Sequence, residues 1–144
     1  MDFLTFGLAF LAYTLLGIDV AARAWNVRVR KLTLALAIVL TAHVALVWGH
    51  RFGGSLEAAL AKGLAGFVIF HAAFAAILAA AVAREPWATR LLTAAFPVAS
   101  AGAIGAAFKY DYVSGLRFPL LAVCAITIAI AVRGWTRPSA GAGA

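Results

Sequence analysis

Three histidines, His43, His50 and His71, lie in or beside long apolar runs of this chain, and they are the residues best suited to carry chemistry. An ionisable side chain among apolar helices is costly to bury, so by default it marks a functional site. A neutral imidazole nitrogen is also a common axial ligand of haem iron. These residues therefore point toward a bound cofactor.

His43 and His71 are predicted to lie at similar depth on two different membrane helices. His43 precedes Gly49, the predicted end of its helix, by six residues, and His71 follows Lys62 by nine. At a rise of about 1.5 Å per residue, the two histidines lie roughly 9 Å and 13 Å from the same membrane boundary. Two imidazoles at matched depth can bind one haem from opposite sides. The sequence thus predicts haem b as cofactor, with His43 and His71 as ligands of its iron.

Neighbouring residues complete this predicted site. Phe67 and Phe74 stand at helical spacing from His71 and would supply aromatic walls. His50 and Arg51 are adjacent at the membrane surface, where we expect them to hydrogen-bond a haem propionate or, alternatively, a quinone head group.

Simpler explanations exist for the same residues. His43 and His71 can form hydrogen bonds between helices or take part in a proton or substrate path, and His50 can face lipid headgroups. Three histidines without acidic or thiolate neighbours at ligand spacing make a weak zinc or copper motif. The single cysteine, Cys124, has no partner for a disulfide or a thiolate metal site.

Asp19 and Arg23 form a second polar pair, in the first apolar run. They are four residues apart and therefore neighbours on one helix face. The pair is expected near a membrane surface as a neutralised ion pair, or else as part of a proton or anion path.

The composition is that of a polytopic membrane protein. The 144 residues are 65% hydrophobic and only 12% charged, with a mean hydropathy of +1.01, whereas about a quarter of a soluble domain is charged. The formal net charge of +7 comes from basic residues between apolar runs, without the basic stripe that a nucleic-acid partner requires. Motifs for phosphate binding, serine nucleophiles or paired cysteines do not occur, so we predict no independent catalytic activity.

Five stretches reach the roughly 20 apolar residues that a membrane-spanning helix needs. The third runs from Leu56 to Ala83 and exceeds one span, so we expect its charged beginning, capped by Ser55, to lie at the interface. The predicted fold is an all-α bundle, a single domain over residues 1–136, with a flexible tail at 137–144. The predicted spans are about 3–24, 32–49, 63–83, 87–108 and 118–132.

Basic residues between the spans predict the orientation. Eight of the twelve would lie on one side and four on the other. The eight are Arg23, Arg28, Arg30, Lys31, Arg84, Arg90, Arg133 and Arg137, and the four are Arg51, Lys62, Lys109 and Arg117. Because cytoplasmic loops carry the excess of basic residues, the N-terminus is predicted outside and the C-terminus inside a bacterial inner membrane.

Isolated histidines on apolar helices resemble those of cytochrome-b-type membrane anchors. The leading hypothesis is a b-type haem-binding anchor or electron-transfer subunit of a membrane redox complex. Such a subunit contacts membrane lipids, other membrane subunits or further copies of itself. Two alternatives are a cofactor-free accessory subunit that packs through alanine-rich faces, and a small transporter or channel that uses the histidines or Asp19.

Overall fold

The computed structural model describes residues 2–61 and 63–137, and every regular element within those ranges is helical. The elements are α1 (Asp2–Ala24), α2 (Arg30–Arg51), α3 (Leu56–Leu60), α4 (Leu64–Val82), α5 (Trp87–Lys109), a 3-10 helix (Asp111–Leu116) and α6 (Arg117–Trp135). Five of the helices, all but α3 and the 3-10 helix, are long and apolar enough to cross a membrane. The predicted all-α class and five candidate spans are confirmed. Lys62 lies outside the described residues. So does the predicted flexible tail, 137–144, except for Arg137.

The long third apolar stretch is divided at Gly63. The Ser55 hydroxyl accepts a hydrogen bond of 3.2 Å from the Ala58 amide and caps α3, as its position before the apolar run predicts. Gly63 then has a φ of +124°, a conformation that side chains with a Cβ rarely adopt. This turn separates the short α3 from α4, which begins at Leu64.

Asn26 ends α1 with a left-handed turn. Its φ is +60°, its amide donates to the Arg23 carbonyl at 2.9 Å, and the Val27 amide donates to the Ala22 carbonyl at 3.0 Å. These two bonds form a Schellman cap, in which Asn is tolerated at the left-handed position. The cap turns the chain back toward α2.

Four of the spans form a ring. α1 packs against α2 and α5, and α4 closes the ring by packing against α2 and α5 from the other side. α6 lies outside this ring, against α1 and α5. α1, α4 and α6 finish at what we call the Asp19 end of the bundle, where α2 and α5 begin; the opposite end is the His43 end.

Two glycines allow α6 to approach α1 closely. A Cβ added at Gly17 would lie 2.5 Å from the Thr127 hydroxyl oxygen, and one added at Gly134 would lie 2.5 Å from the Ala24 carbonyl oxygen. Small residues of this kind let membrane helices pack at short distance. These two contacts hold α6 against the second half of α1.

Candidate functional site: an apolar cavity with one histidine

A cavity of about 870 Å³ lies within the helical ring, toward the His43 end. Ligand and cofactor sites usually have volumes of about 300–1,000 Å³ and mainly apolar walls. Its walls are mainly apolar side chains from α1, α2, α4 and α5, with the 3-10 helix and α6 closing one side. The cavity therefore has the size and character of a site for an apolar ligand.

Small residues create this space. α5 faces the cavity with Ala99, Gly102, Ala103 and Ala106, and α4 contributes Gly66. These side chains fill little of the volume between the helices, whereas α5 carries the fully buried Leu92 farther toward the Asp19 end. The ring is consequently packed at one end and hollow at the other.

His43 is half-buried in the cavity wall. Its Nδ1 lies 2.9 Å from the Thr5 carbonyl oxygen on α1. A carbonyl oxygen can only accept, so Nδ1 carries the proton and donates it. In the neutral ring the lone pair is then on Nε2, the arrangement that orients many metal-ligating histidines. The structure thus places His43 in the site with a nitrogen that can bind a metal ion or accept a hydrogen bond.

His71 has the same hydrogen-bonding pattern but a different position. Its Nδ1 donates to the Phe67 carbonyl, 2.7 Å away and one turn earlier in α4. The imidazole also stacks on the Phe67 ring, with centroids 3.9 Å apart and an interplanar angle of 32°. The Nε2 of His71 therefore also keeps its lone pair when the ring is neutral.

The cavity wall does not include His71 or Phe67. α4 contributes Gly66, Ile69, Phe70, Ala73, Phe74 and Ile77 to that wall. His71 follows Phe70 directly, and successive residues of a helix point about 100° apart. Of the residues predicted to flank the haem, Phe74 therefore lines the cavity, while Phe67 and His71 lie on the adjoining face of α4.

Only one of the two predicted surface residues borders the cavity. Arg51 is part of its wall, and the guanidinium carbon lies 5.3 Å from the centroid of the Phe6 ring on α1. His50 is exposed and lies outside the wall. Arg51 therefore brings a positive charge to the cavity wall.

A tyrosine that sequence reasoning missed also lines the cavity. The Tyr13 hydroxyl and Ser100 Oγ are 2.8 Å apart and both side chains are buried. The Tyr13 ring is nearly parallel to that of Phe96, with centroids 6.0 Å apart. The sequence contains only a weak indication of this contact, because Tyr13 and Ser100 are single polar residues in two different apolar runs, 87 residues apart.

The loop between α5 and α6 covers one side of the cavity. Tyr110, Val113 and Leu116 all belong to the wall. The loop is held in place because Arg117 Nε donates to the Ala107 carbonyl at 2.9 Å. This aromatic loop is thus part of the site.

The predicted Asp19–Arg23 pair lies near the end of α1 and is buried inside the bundle. Asp19 is fully buried and Arg23 is 8% exposed. The Arg23 guanidinium donates to the carboxylates of Asp19 and Glu85, and to the Thr33 hydroxyl at 2.8 Å. Thr89 adds a hydrogen bond of 2.7 Å to Glu85. This polar network (Asp19, Arg23, Thr33, Glu85 and Thr89) joins α1, α2 and the beginning of α5.

A leucine layer separates the polar network from the cavity. Leu16 and Leu36 lie about one turn from Asp19 and Thr33, on the side of the cavity, and Leu92 lies about one turn from Thr89. The three leucines, which define this layer, are at most 1% exposed and belong to one hydrophobic core. The Asp19–Arg23 ion pair is therefore not in contact with the cavity.

Within the described residues, no group of three or more His, Cys, Asp or Glu side chains is placed to hold a metal ion. Cys124 is half-buried in α6 as a free thiol.

Comparisons with protein-family models, with curated proteins and with solved structures gave no match. The geometry of the cavity and of the polar network is therefore the basis on which a function can be argued.

Proposed function

We propose that the protein binds a b-type haem in the cavity, with His43 as an axial ligand, and acts as an electron-transfer or anchor subunit of a membrane redox complex. One observation carries this proposal. His43 is an imidazole in the wall of a large apolar cavity, and its Nδ1–H bond to Thr5 leaves the Nε2 lone pair for a ligand. A hydrogen bond of this kind holds the ring and raises its basicity as a ligand.

The surroundings of His43 fit a porphyrin with charged propionates. Phe70 and Phe74 supply aromatic surface to the wall, and Arg51 supplies a positive charge at the His43 end. A propionate beside Arg51 would form a charge-assisted hydrogen bond, which is stronger than one between neutral groups. The predicted partnership of Arg51 with a propionate is kept, whereas His50 has no place in the wall.

The sequence predicts His71 as the second ligand of the haem iron, whereas the proposed site does not include it. His71 has an available Nε2 but lies on the neighbouring face of α4, so the wall offers a single imidazole. We therefore expect His43 to be required for haem retention and His71 to be dispensable for it.

An absorption spectrum of the purified protein, oxidised and reduced, tests the proposal. The wild-type protein, supplied with haem during expression, should show a Soret band and a reduced α-band, and His43→Ala should lose both. His50→Ala is the matched control, since this exposed residue lies on the same helix but outside the wall. Loss of haem from His71→Ala as well would restore the bis-histidine assignment. Haem-free wild-type protein would refute the proposal.

A quinone is the second candidate, favoured by the single imidazole in the wall. His43 Nε2 can accept from one hydroxyl of a quinol while Arg51 donates to the oxygen of the other hydroxyl, and neither interaction requires a second histidine. In that case the purified protein has no Soret band, and solvent extraction releases a quinone from the wild type but not from His43→Ala.

The orientation follows from the charges at the two ends. Arg23 is neutralised in the polar network, which leaves seven of the eight predicted basic residues at the Asp19 end. Against four at the His43 end, this excess favours a cytoplasmic Asp19 end, an outside N-terminus and a location in the bacterial inner membrane. The cavity would then lie in the outer half of the membrane, among lipids and neighbouring membrane subunits or copies of the chain.

A further inference from the structure

A groove of about 470 Å³ lies at the Asp19 end, remote from the cavity, where α1 and α6 finish side by side. Its lining residues are Trp25, Ala129, Ile130, Arg133 and Arg137. The groove therefore combines an apolar floor with two cations at one edge of the bundle.

Close packing of α6 on α1 builds this groove. A Cβ at Gly134 would come within 2.8 Å of Trp25 Cδ1, so only glycine lets the helix pass here without displacing the indole. Trp25 Nε1 donates to the Ile130 carbonyl at 3.0 Å, and the Arg137 guanidinium carbon lies 4.1 Å from the centroid of a Trp25 ring. The tryptophan is thus held from both sides and gives the groove a defined shape.

In the part of the chain that the structure describes, neither arginine of the groove forms an ion pair with an acidic side chain. Arg133 lies in the last turn of α6, Arg137 follows the helix end by two residues, and both are exposed. The chain has five acidic residues, and the two that lie at the Asp19 end, Asp19 and Glu85, are bound to Arg23. The other three, Asp2, Glu57 and Asp111, belong to elements at the His43 end. Within the described residues, no acidic side chain is therefore placed to pair with Arg133 and Arg137.

We propose that this groove binds an anionic phospholipid. The phosphate would pair with Arg133 and Arg137, and one acyl chain would follow Ala129 and Ile130 along α6. Ile126, one turn farther into the membrane, is 59% exposed and continues the apolar path. Tryptophan favours the depth of the lipid headgroups, and basic pockets between membrane helices bind anionic headgroups. The site is independent of the proposed haem.

The experiment measures lipid binding to the full chain in neutral detergent by native mass spectrometry. Phosphatidylglycerol should bind at least tenfold more tightly than phosphatidylcholine of the same acyl chains. The double variant Arg133→Gln with Arg137→Gln should lose this preference. Arg90→Gln is the matched control, because that guanidinium carbon lies 5.0 Å from the Trp87 ring at the same end of the bundle but outside the groove.

Two outcomes would overturn the proposal. The first is equal phosphatidylglycerol binding by the double variant, which would mean that Arg133 and Arg137 do not hold the lipid, or an equal loss in Arg90→Gln, which would mean that surface charge alone attracts it. The second is displacement of the lipid by inorganic phosphate at equal concentration, which would make the groove a site for a soluble anion. An unchanged unfolding temperature of the double variant in phosphatidylcholine verifies that its fold is intact.

Discussion

Thr33 donates its hydroxyl to Asp19 Oδ2 over 2.6 Å, and this bond joins α2 to α1 where neither side chain is more than 1% exposed. The same hydroxyl oxygen accepts from Arg23 at 2.8 Å. The Thr33 hydroxyl therefore hydrogen-bonds both charged groups of a buried ion pair. Because a buried carboxylate is tolerated only when its acceptors are satisfied, this end of the bundle should depend on Thr33.

Replacement of Thr33 by Val should lower the free energy of unfolding by about 1–3 kcal/mol, the usual range for a buried group left without a hydrogen-bond partner. Unfolding by heat or denaturant in detergent measures the change. Thr41→Val is the control on the same helix, because the exposed Thr41 only donates back to the Ala37 carbonyl at 2.7 Å. Equal effects of the two substitutions would contradict the role given to Thr33.

Replacement of Arg23 by Gln should be more damaging, by about 3–5 kcal/mol, because it leaves the charge of Asp19 buried without a counter-ion. Adding Asp19→Asn to this variant removes the unpaired charge and should restore part of the loss. The double-mutant cycle in the same unfolding assay gives the coupling between the two residues. Simple additivity would show that the pair is not an interacting unit.

Gly134→Ala should destabilise the bundle by about 1–3 kcal/mol, since the added methyl group meets the Ala24 carbonyl and overpacks the contact. Gly102→Ala is its control: no atom lies within 4 Å of a Cβ at that helical position. Alanine there should be neutral or slightly stabilising, because glycine costs about 0.5–1 kcal/mol in a helix. A loss of stability from Gly102→Ala of the same size would refute the packing argument.

Two alanines of α5 should respond differently to leucine. Ala103 lines the cavity, so Ala103→Leu should fill part of it and reduce the amount of bound ligand while leaving unfolding nearly unchanged. Ala95 is 2% exposed in the packed core, so Ala95→Leu should cost about 1–3 kcal/mol by overpacking. Absorption spectra and thermal unfolding of both variants separate the two effects.

The orientation can be measured by labelling in intact cells. With Cys124→Ala as background, a membrane-impermeant maleimide should label Glu57→Cys, in α3 at the His43 end, and should not label Arg28→Cys, in the exposed loop after α1. Permeabilised cells should show labelling of both. Labelling of Arg28→Cys alone in intact cells would invert the orientation.

Hydropathy was sufficient to predict the five spans, since their length and apolar character follow directly from the bilayer thickness. Spacing was sufficient to predict that Asp19 and Arg23 are neighbours. It could not reveal Thr33 and Glu85 as their partners, which lie 14 and 62 residues away from the residues they bind. A threonine in an apolar run is too common to identify a partner on another helix.

The direction of His71 could not be predicted for a different reason. α4 is apolar on all sides, so no face of the helix is marked as inward by polar residues on the opposite face. Depth follows from counting residues, whereas rotation about the helix axis depends on packing against α2 and α5. The depth of His71 could therefore be predicted from the sequence, whereas the face of α4 on which it lies could not.

The leucine layer closes the cavity toward the Asp19 end. Because Leu16, Leu36 and Leu92 carry no group that can pass a proton, protons taken up or released by a quinone beside His43 would exchange with the compartment at the His43 end. Redox chemistry in the cavity would accordingly be vectorial. Each turnover that consumes or releases protons would change the pH of that compartment and leave the other unaffected.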